Sequence, residues 1–312
     1  GQALAVAVVS PLSFVEAKKV LMDLSKKQIA ITVTGELEVF HTDNFSNPKE
    51  SRYQYFLNLG DRRVAFYPTE PLNVSSGAVI KTDQAYDLGE AVVAETPSII
   101  FLNQPARPLS GDQVIAVLLI DFNDSPAAPF TAEEANNIIF NDQVQNFYWE
   151  QSYNQINLIG QVFGWYRLPR NGVDQNGVCR PPVFGESNEL DKVLLNSVQD
   201  LRTYQRIVVI VNHPCMTGAS GSVGQLRMSL GGVTYRLSQS FIGGLAGFDQ
   251  GQGMPFPWRR IDRFLSHELG HNLGLMHANG WDCGGQSLAA DCQHLEGANY
   301  FDTMGIGLGS LH

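Results

Sequence analysis

Residues 267–277 have the sequence His-Glu-Leu-Gly-His-Asn-Leu-Gly-Leu-Met-His, and this is the most informative stretch of the chain. On a helix, side chains four positions apart lie one turn from each other on the same face. The imidazoles of His267 and His271 can therefore bind a single metal ion. Glu268 follows the first histidine directly and can act as a general base toward a water held by that ion. The spacing predicts a helix that carries two metal ligands and a catalytic carboxylate.

A third histidine completes the pattern after a turn. His277 lies ten residues beyond His267, about 15 Å along a straight helix, which is too far to reach the same ion. Glycine readily adopts the left-handed conformation that ends helices, so Gly274 is expected to end the helix and return the chain toward the metal. The full pattern, H-E-x-x-H-x-x-G-x-x-H, is typical of zinc proteases, in which three ligands leave one position open for water.

This chemistry predicts a zinc-dependent endopeptidase that acts on polypeptides. Zn²⁺ held by His267, His271 and His277 would lower the pKa of its water toward ~7. Glu268 would take the proton as the catalytic residue and later deliver it to the leaving amine. His294 is a rival candidate for the third ligand. Calcium could bind among the acidic loops, but no EF-hand or RTX pattern supports it.

The chain resembles the metzincin clan of zinc endopeptidases, and within it the gametolysin-type family. The resemblance rests on residues 267–278, on Asp-Thr-Met-Gly at 302–305, and on Val-Gln-Asn-Phe-Tyr-Trp-Glu-Gln-Ser-Tyr at 144–153. It implies a methionine turn, in which Met304 forms a hydrophobic floor beneath the metal and is not itself a ligand. Ala278 departs from the residues that matrixins, adamalysins, astacins and serralysins carry after the third histidine. The resemblance also implies a C-terminal helix after the methionine turn, so a trimmed or truncated form is expected.

We expect a mixed α+β fold in two domains. Residues 1–96 hold six of the seven lysines and show the apolar–polar alternation of strands, which predicts a small, mainly-β N-terminal domain built as a barrel or a sandwich. The prolines of residues 97–111 indicate a linker. Residues 112–312 are expected to form a metzincin-type zincin domain with a twisted mixed sheet, two backing helices, the active-site helix and the methionine turn.

Local signals within the second domain predict its elements. Thr131 and the glutamates after it form a capping box, which predicts a helix reaching to about Tyr148, and a further helix is expected over 187–204. The segment Ser222–Ser229 is a candidate edge strand that would pair with an extended substrate, although an ordinary edge strand is equally consistent with it.

The N-terminal domain leaves a second function open, that of a catalytically latent, protease-fold binding protein. In this alternative the domain either engages a partner or blocks the cleft. It contains no cysteine, so a thiolate that caps the zinc is excluded, whereas a carboxylate or a steric block is not. His41 is expected at the surface.

Composition restricts the partners and the compartment. A formal charge of −10 and a pI near 5.1 argue against nucleic acid and anionic membranes as partners, and no apolar run is long enough to span a bilayer. Four cysteines, two of them flanking a glycine-rich loop, suggest the disulfides Cys179–Cys215 and Cys283–Cys292 and hence a secreted protein. Four reduced thiols in a cytosolic protein are the alternative. We expect a monomer.

Overall fold

A computed structural model describes residues 12–44, 51–95, 97–102, 109–185, 188–216, 218–243, 258–284, 292–299 and 302–305. The chain forms two compact units. The first consists of Gly1–Val39 and Tyr53–Gln104, and the second of Phe40–Arg52 and Pro105–His312. The short segment Phe40–Arg52 therefore groups with the unit that carries the histidine motif, although it lies within the predicted N-terminal domain. Part of the predicted linker, 103–108, lies outside the described residues.

The first unit is a small barrel with one helix. Helix α1 begins after Ser13, whose side chain and that of Glu16 form a reciprocal capping box. Strands β1, β2, β3, β5 and β4 pair in a closed ring, and β6 extends β4 outside it. This barrel is one of the two arrangements that the sequence predicts. The elements are α1 (Phe14–Leu24), β1 (Ile31–Asp43), β2 (Arg52–Asn58), β3 (Arg63–Pro68), β4 (Ala78–Asp87), β5 (Ala91–Ala94) and β6 (Ser98–Leu102).

A mixed sheet forms the centre of the second unit. Its strands follow the order β10-β12-β9-β7-β8, in which β12, β9, β7 and β8 are parallel and β10 runs antiparallel to β12. β11 pairs with another part of β12. The strands are β7 (Gly111–Phe122), β8 (Ile156–Leu168), β9 (Arg206–Val211), β10 (Ala219–Ser222), β11 (Leu226–Leu230) and β12 (Val233–Ile242).

Helices cover both faces of this sheet because β7 and β9 are apolar on both sides. One face packs against helices α2, α3 and α5, and the other packs against α4 and β11. The mixed α+β class predicted from the sequence is therefore confirmed. The helices are α2 (Ala132–Asn136), α3 (Gln143–Gln151), α4 (Glu189–Ser197) and α5 (Trp258–Asn272).

Two helix predictions were too long. Thr131 caps α2 as expected, but a π-helical turn follows over Asn137–Asn141, and Asp142 then leaves the helical region before α3 begins. Asn and Asp side chains compete for backbone hydrogen bonds, which weakens helices at such positions. α4 ends at Ser197 because Val198 is extended, and Asp200 then caps a separate 3₁₀ turn.

Both predicted disulfides are present, Cys179–Cys215 and Cys283–Cys292. The second one joins the ends of a two-stranded ribbon, β13 (Gly280–Asp282) and β14 (Gln293–Leu295), which lies between the histidine motif and Met304. Among the described residues, no helix is both long and apolar enough to cross a membrane.

Candidate metal centre

Helix α5 carries the first half of the histidine motif into the interior. Ile261, Leu265 and Leu269 pack into the core beneath the sheet. His267, Glu268 and His271 are buried as well, and none is more than 1% exposed. Ionisable side chains are rarely buried unless they are paired, hydrogen-bonded or bound to a metal, so the burial of these three groups marks a specific site.

The turn after α5 has the conformation that the sequence predicts. Gly274 has a φ of +96°, and the amides of Gly274 and Leu275 donate to the carbonyls of His271 and Gly270 at 2.8 and 3.0 Å. This pair of hydrogen bonds is a Schellman motif, which reverses the chain at a helix end. The reversal brings Nε2 of His277 to 3.2 Å from Nε2 of His267.

Hydrogen bonds on the outer side of the rings orient the histidines. Nδ1 of His267 donates to the carbonyl of Thr303 at 2.6 Å, and Nδ1 of His271 donates to the carbonyl of Leu275 at 2.8 Å. A carbonyl can only accept, so Nδ1 carries a proton in both rings, and Nε2 is the nitrogen that could bind a metal ion. Nδ1 of His277 lies 3.6 Å from a carboxylate oxygen of Glu296. Such outer partners are what metal-binding imidazoles require.

Met304 packs against the motif helix and is 5% exposed. A Cβ built on Gly270 would lie 2.3 Å from its sulfur, which shows how closely the thioether approaches the helix backbone. The Met304 carbonyl also accepts from the amide of Ala278 at 2.9 Å. The segment after β14 is thus attached to the chain directly beyond His277.

A carboxylate that sequence reasoning did not assign to the site lies close to all three histidines. Asp43 Oδ2 is 3.4 Å from Nε2 of His267 and 3.6 Å from Nε2 of His271, and Asp43 Oδ1 is 3.1 Å from Nε2 of His277. His41 holds this carboxylate through Nδ1, at 2.9 Å from Oδ2.

The prediction that His41 lies at the surface was wrong, because its side chain is fully buried. Along β1, Leu37, Val39, His41 and Asp43 occupy alternate positions and all are buried. Strand periodicity places such positions on one face. The alternation was the signal in the sequence that could have marked His41 and Asp43 as inward-facing.

Four distances between the donor atoms match the edge of a tetrahedral metal site. Zinc binds imidazole nitrogen at about 2.0–2.1 Å, so neighbouring corners of a tetrahedron lie about 3.3–3.4 Å apart. The distances between Asp43 and the histidines, 3.1–3.6 Å, and the 3.2 Å between His267 and His277 are close to this edge. Nε2 of His271 has no hydrogen-bond partner among the described residues, although it is buried. The donor set therefore suits a divalent ion that accepts nitrogen and oxygen.

The two buried carboxyl groups have opposite pKa shifts. At Asp43, burial acts to raise the pKa, but the neighbouring imidazoles of His41 and His267 outweigh it, and the pKa lies well below its usual range. At Glu268, burial and then the negative charge of Asp43 raise the pKa well above its usual range. The shift at Glu268 thus arises in part from the negative charge of Asp43 beside it.

The pKa values of His271 and His277 are also shifted in opposite directions. Burial lowers the pKa of His271 to about 4. At His277 burial also acts to lower the pKa, but the neighbouring carboxylates of Asp43 and Glu296 outweigh it and raise the pKa to about 9. His277 is therefore held by carboxylates on both sides of its ring.

The remaining predicted candidates lie elsewhere. His294, the rival third ligand, is exposed on β14, where its ring contacts Trp281. Among the described residues it lies in none of the clusters of side chains that could hold a metal ion. The candidate edge strand Ser222–Ser229 divides into the end of β10 and the start of β11. The edge of β10 opposite β12 pairs with Phe40–Asp43.

Comparison with known protein families found no family model that matches this chain, and comparison with curated proteins found no significant match. The function is therefore argued from the site itself.

Proposed function

We propose that this protein is a secreted, zinc-dependent endopeptidase of the metzincin type. One observation carries the proposal: three buried histidines and a buried glutamate, spaced as H-E-x-x-H-x-x-G-x-x-H, lie together, and backbone carbonyls accept from the outer nitrogens of His267 and His271. His267, His271 and His277 would hold the ion. Zinc bound there would supply Lewis acidity and activate a water molecule.

Glu268 has the position required of a general base. Both of its carboxylate oxygens are buried, and neither makes a hydrogen bond among the described residues. One of its oxygens, one of Asp43 and a ring nitrogen of His267 lie within 4.8 Å of one another. A carboxylate at this distance can take a proton from the attacking water and later deliver it to the amine of the cleaved peptide.

The edge of β10 that pairs with Phe40–Asp43 is the strand edge next to this site, and a substrate would bind there in place of that segment. Gly221 on β10 lies so close to Glu268 that an added Cβ would be 2.7 Å from a carboxylate oxygen. An extended polypeptide added to β10 would thus pass directly beside the base. The two disulfides are compatible with an extracellular protein.

The test combines metal content with turnover. Zinc is measured in the purified parent and in His267→Ala, and cleavage of a quenched-peptide library is measured with and without 1,10-phenanthroline. We expect one tightly bound zinc in the parent, its loss in His267→Ala, and cleavage that the chelator abolishes.

The matched pair Glu268→Gln and Glu150→Gln separates the base from the general effect of removing a carboxylate, since Glu150 is exposed on α3. Glu268→Gln should keep zinc and lose about 10²–10⁴-fold in turnover, whereas Glu150→Gln should match the parent. Absence of zinc binding, or cleavage that survives the Glu268 substitution, would contradict the proposal.

A further inference from the structure

The histidine site contains a ligand of its own chain. The carboxylate of Asp43 is fully buried and contacts Nε2 of His267, His271 and His277 at 3.1–3.6 Å. Three protein ligands leave a catalytic zinc with one open position. The Asp43 oxygens are placed where that fourth position would be.

The backbone around Asp43 is held in place by β10. Phe40, His41, Thr42 and Asp43 pair antiparallel with Ser222, Gly221, Ser220 and Ala219. This is the edge of β10 that the proposed function assigns to an extended substrate. The segment Phe40–Asp43 therefore resembles a bound peptide in its backbone pairing, with one side chain directed at the histidines.

Charge also favours a cation between these groups. Asp43 and Glu268 are both buried, and their carboxylate oxygens lie within 4.8 Å of each other. Two buried carboxylates so close repel each other unless a proton or a cation lies between them. A divalent ion held by the imidazoles and by Asp43 would remove that repulsion and leave Glu268 beside it as a base.

We propose that Asp43 is a fourth ligand of the metal, and that the segment Phe40–Asp43 keeps the enzyme latent by occupying both the open metal position and the substrate edge of β10. His41 is a positioning residue that orients the Asp43 carboxylate through Nδ1. Activity then requires displacement of this segment. The inference rests on the proposed function, because it assigns a role to a residue inside the same site.

Cobalt substitution tests the ligand directly, because the visible absorption of Co²⁺ reports its ligand set independently of turnover. The parent, Asp43→Ala and the control Asp112→Asn are loaded with Co²⁺ and titrated with acetohydroxamate, a small anion that binds metal at open positions. Asp112 is an exposed carboxylate on β7 in the same unit.

We expect the Asp43→Ala spectrum to differ from that of the parent before any addition. Its apparent Kd for acetohydroxamate should be at least about tenfold lower, since a self-ligand bound nine-tenths of the time leaves about a tenth of the sites competent. Peptide cleavage by this variant should rise by a similar factor. Asp112→Asn should match the parent in all three measurements.

A second variant guards against loss of folding in Asp43→Ala. In Asp43→Cys, a thiolate at position 43 that faces the metal would add a sulfur-to-cobalt charge-transfer band in the near ultraviolet. Absence of this band in a folded, cobalt-loaded protein would overturn the inference, as would an Asp43→Ala spectrum and acetohydroxamate affinity equal to those of the parent.

The two proposals fail in different ways. If the parent binds cobalt and cleaves in a Glu268-dependent manner but the Asp43 variants match it, only the role of Asp43 is wrong. If neither the parent nor any folded Asp43 variant takes up cobalt, the proposed function is wrong.

Discussion

The contact between Gly270 and Met304 yields a prediction about what supports the metal helix. Gly270→Ala should gain about 1 kcal/mol from helix propensity. The new Cβ would, however, lie 2.3 Å from the buried sulfur of Met304, an overlap that the side chain must relieve by moving. Overpacking of this kind costs about 1–3 kcal/mol. We therefore expect Gly270→Ala to be neutral or to destabilise the fold by up to about 2 kcal/mol.

The same substitution should have the opposite sign once the thioether is removed. Met304→Ala alone should cost about 2–5 kcal/mol through lost burial and a cavity. In that background, Gly270→Ala fills part of the cavity and keeps its propensity gain, so it should stabilise the protein by about 1 kcal/mol. The coupling between the two sites is then about 1–3 kcal/mol.

Equilibrium urea unfolding of the four proteins measures this coupling. The samples should be metal-free and non-reduced, because bound metal adds its own stabilisation and reduction would open the disulfides. Gly164 has no neighbour within 4 Å of an added Cβ, so Gly164→Ala in both Met304 backgrounds is the control. An equal cost of Gly270→Ala in the presence and absence of Met304 would refute the packing argument.

Three further predictions concern the disulfides, the substrate edge and the anchoring of α5. From loop-closure entropy, Cys179–Cys215, with a sequence separation of 36, should contribute about 4 kcal/mol to stability, and Cys283–Cys292, with a separation of 9, about 2.5 kcal/mol. Urea unfolding of the two double-serine variants should show the larger loss for the first pair, and the reverse order would contradict the argument. Gly221→Ala should lower kcat/KM by about tenfold to a hundredfold without loss of zinc, because the added methyl group displaces Glu268, the proposed base. Gly164→Ala should have no effect. Full activity of Gly221→Ala would contradict the argument that Glu268 must stay where it lies against β10. Asn272→Ala removes the amide that donates to the carbonyls of Ser222 and Gln239, through hydrogen bonds of which the first is buried and the second partly buried. It should destabilise the fold by about 2–4 kcal/mol in thermal or urea unfolding, whereas a cost below about 0.5 kcal/mol would show that water replaces the amide.

Local chemistry explains which elements the sequence could predict. The end of α5 at the Gly274 turn and the start of α2 at the Thr131 cap follow from patterns within a few residues, and both are present. The two disulfides were also predictable, because the cysteines are few and one pair is close in sequence. The long helix expected after Thr131 was wrong because the capping box reports only where a helix starts. Its interruption near Asp142 depends on side chains further along.

In the site, too, some features follow from short sequence patterns and others from the pairing of distant segments. The spacing of His267, His271 and His277 predicts that they meet, and their rings lie close together in the structure, while their binding of zinc remains a prediction. Asp43 carries no motif, and its role depends on the pairing of β1 with β10, which joins segments far apart in the chain. Sequence reasoning had left open a carboxylate block by the N-terminal region without naming a residue. The residue pattern of a strand shows which of its side chains point inward, but the pairing with a partner strand determines which side chains they contact. The placement of a carboxylate among the three histidines was therefore knowable only from the three-dimensional pairing, and it puts the proposed latency in the same site as the proposed catalysis.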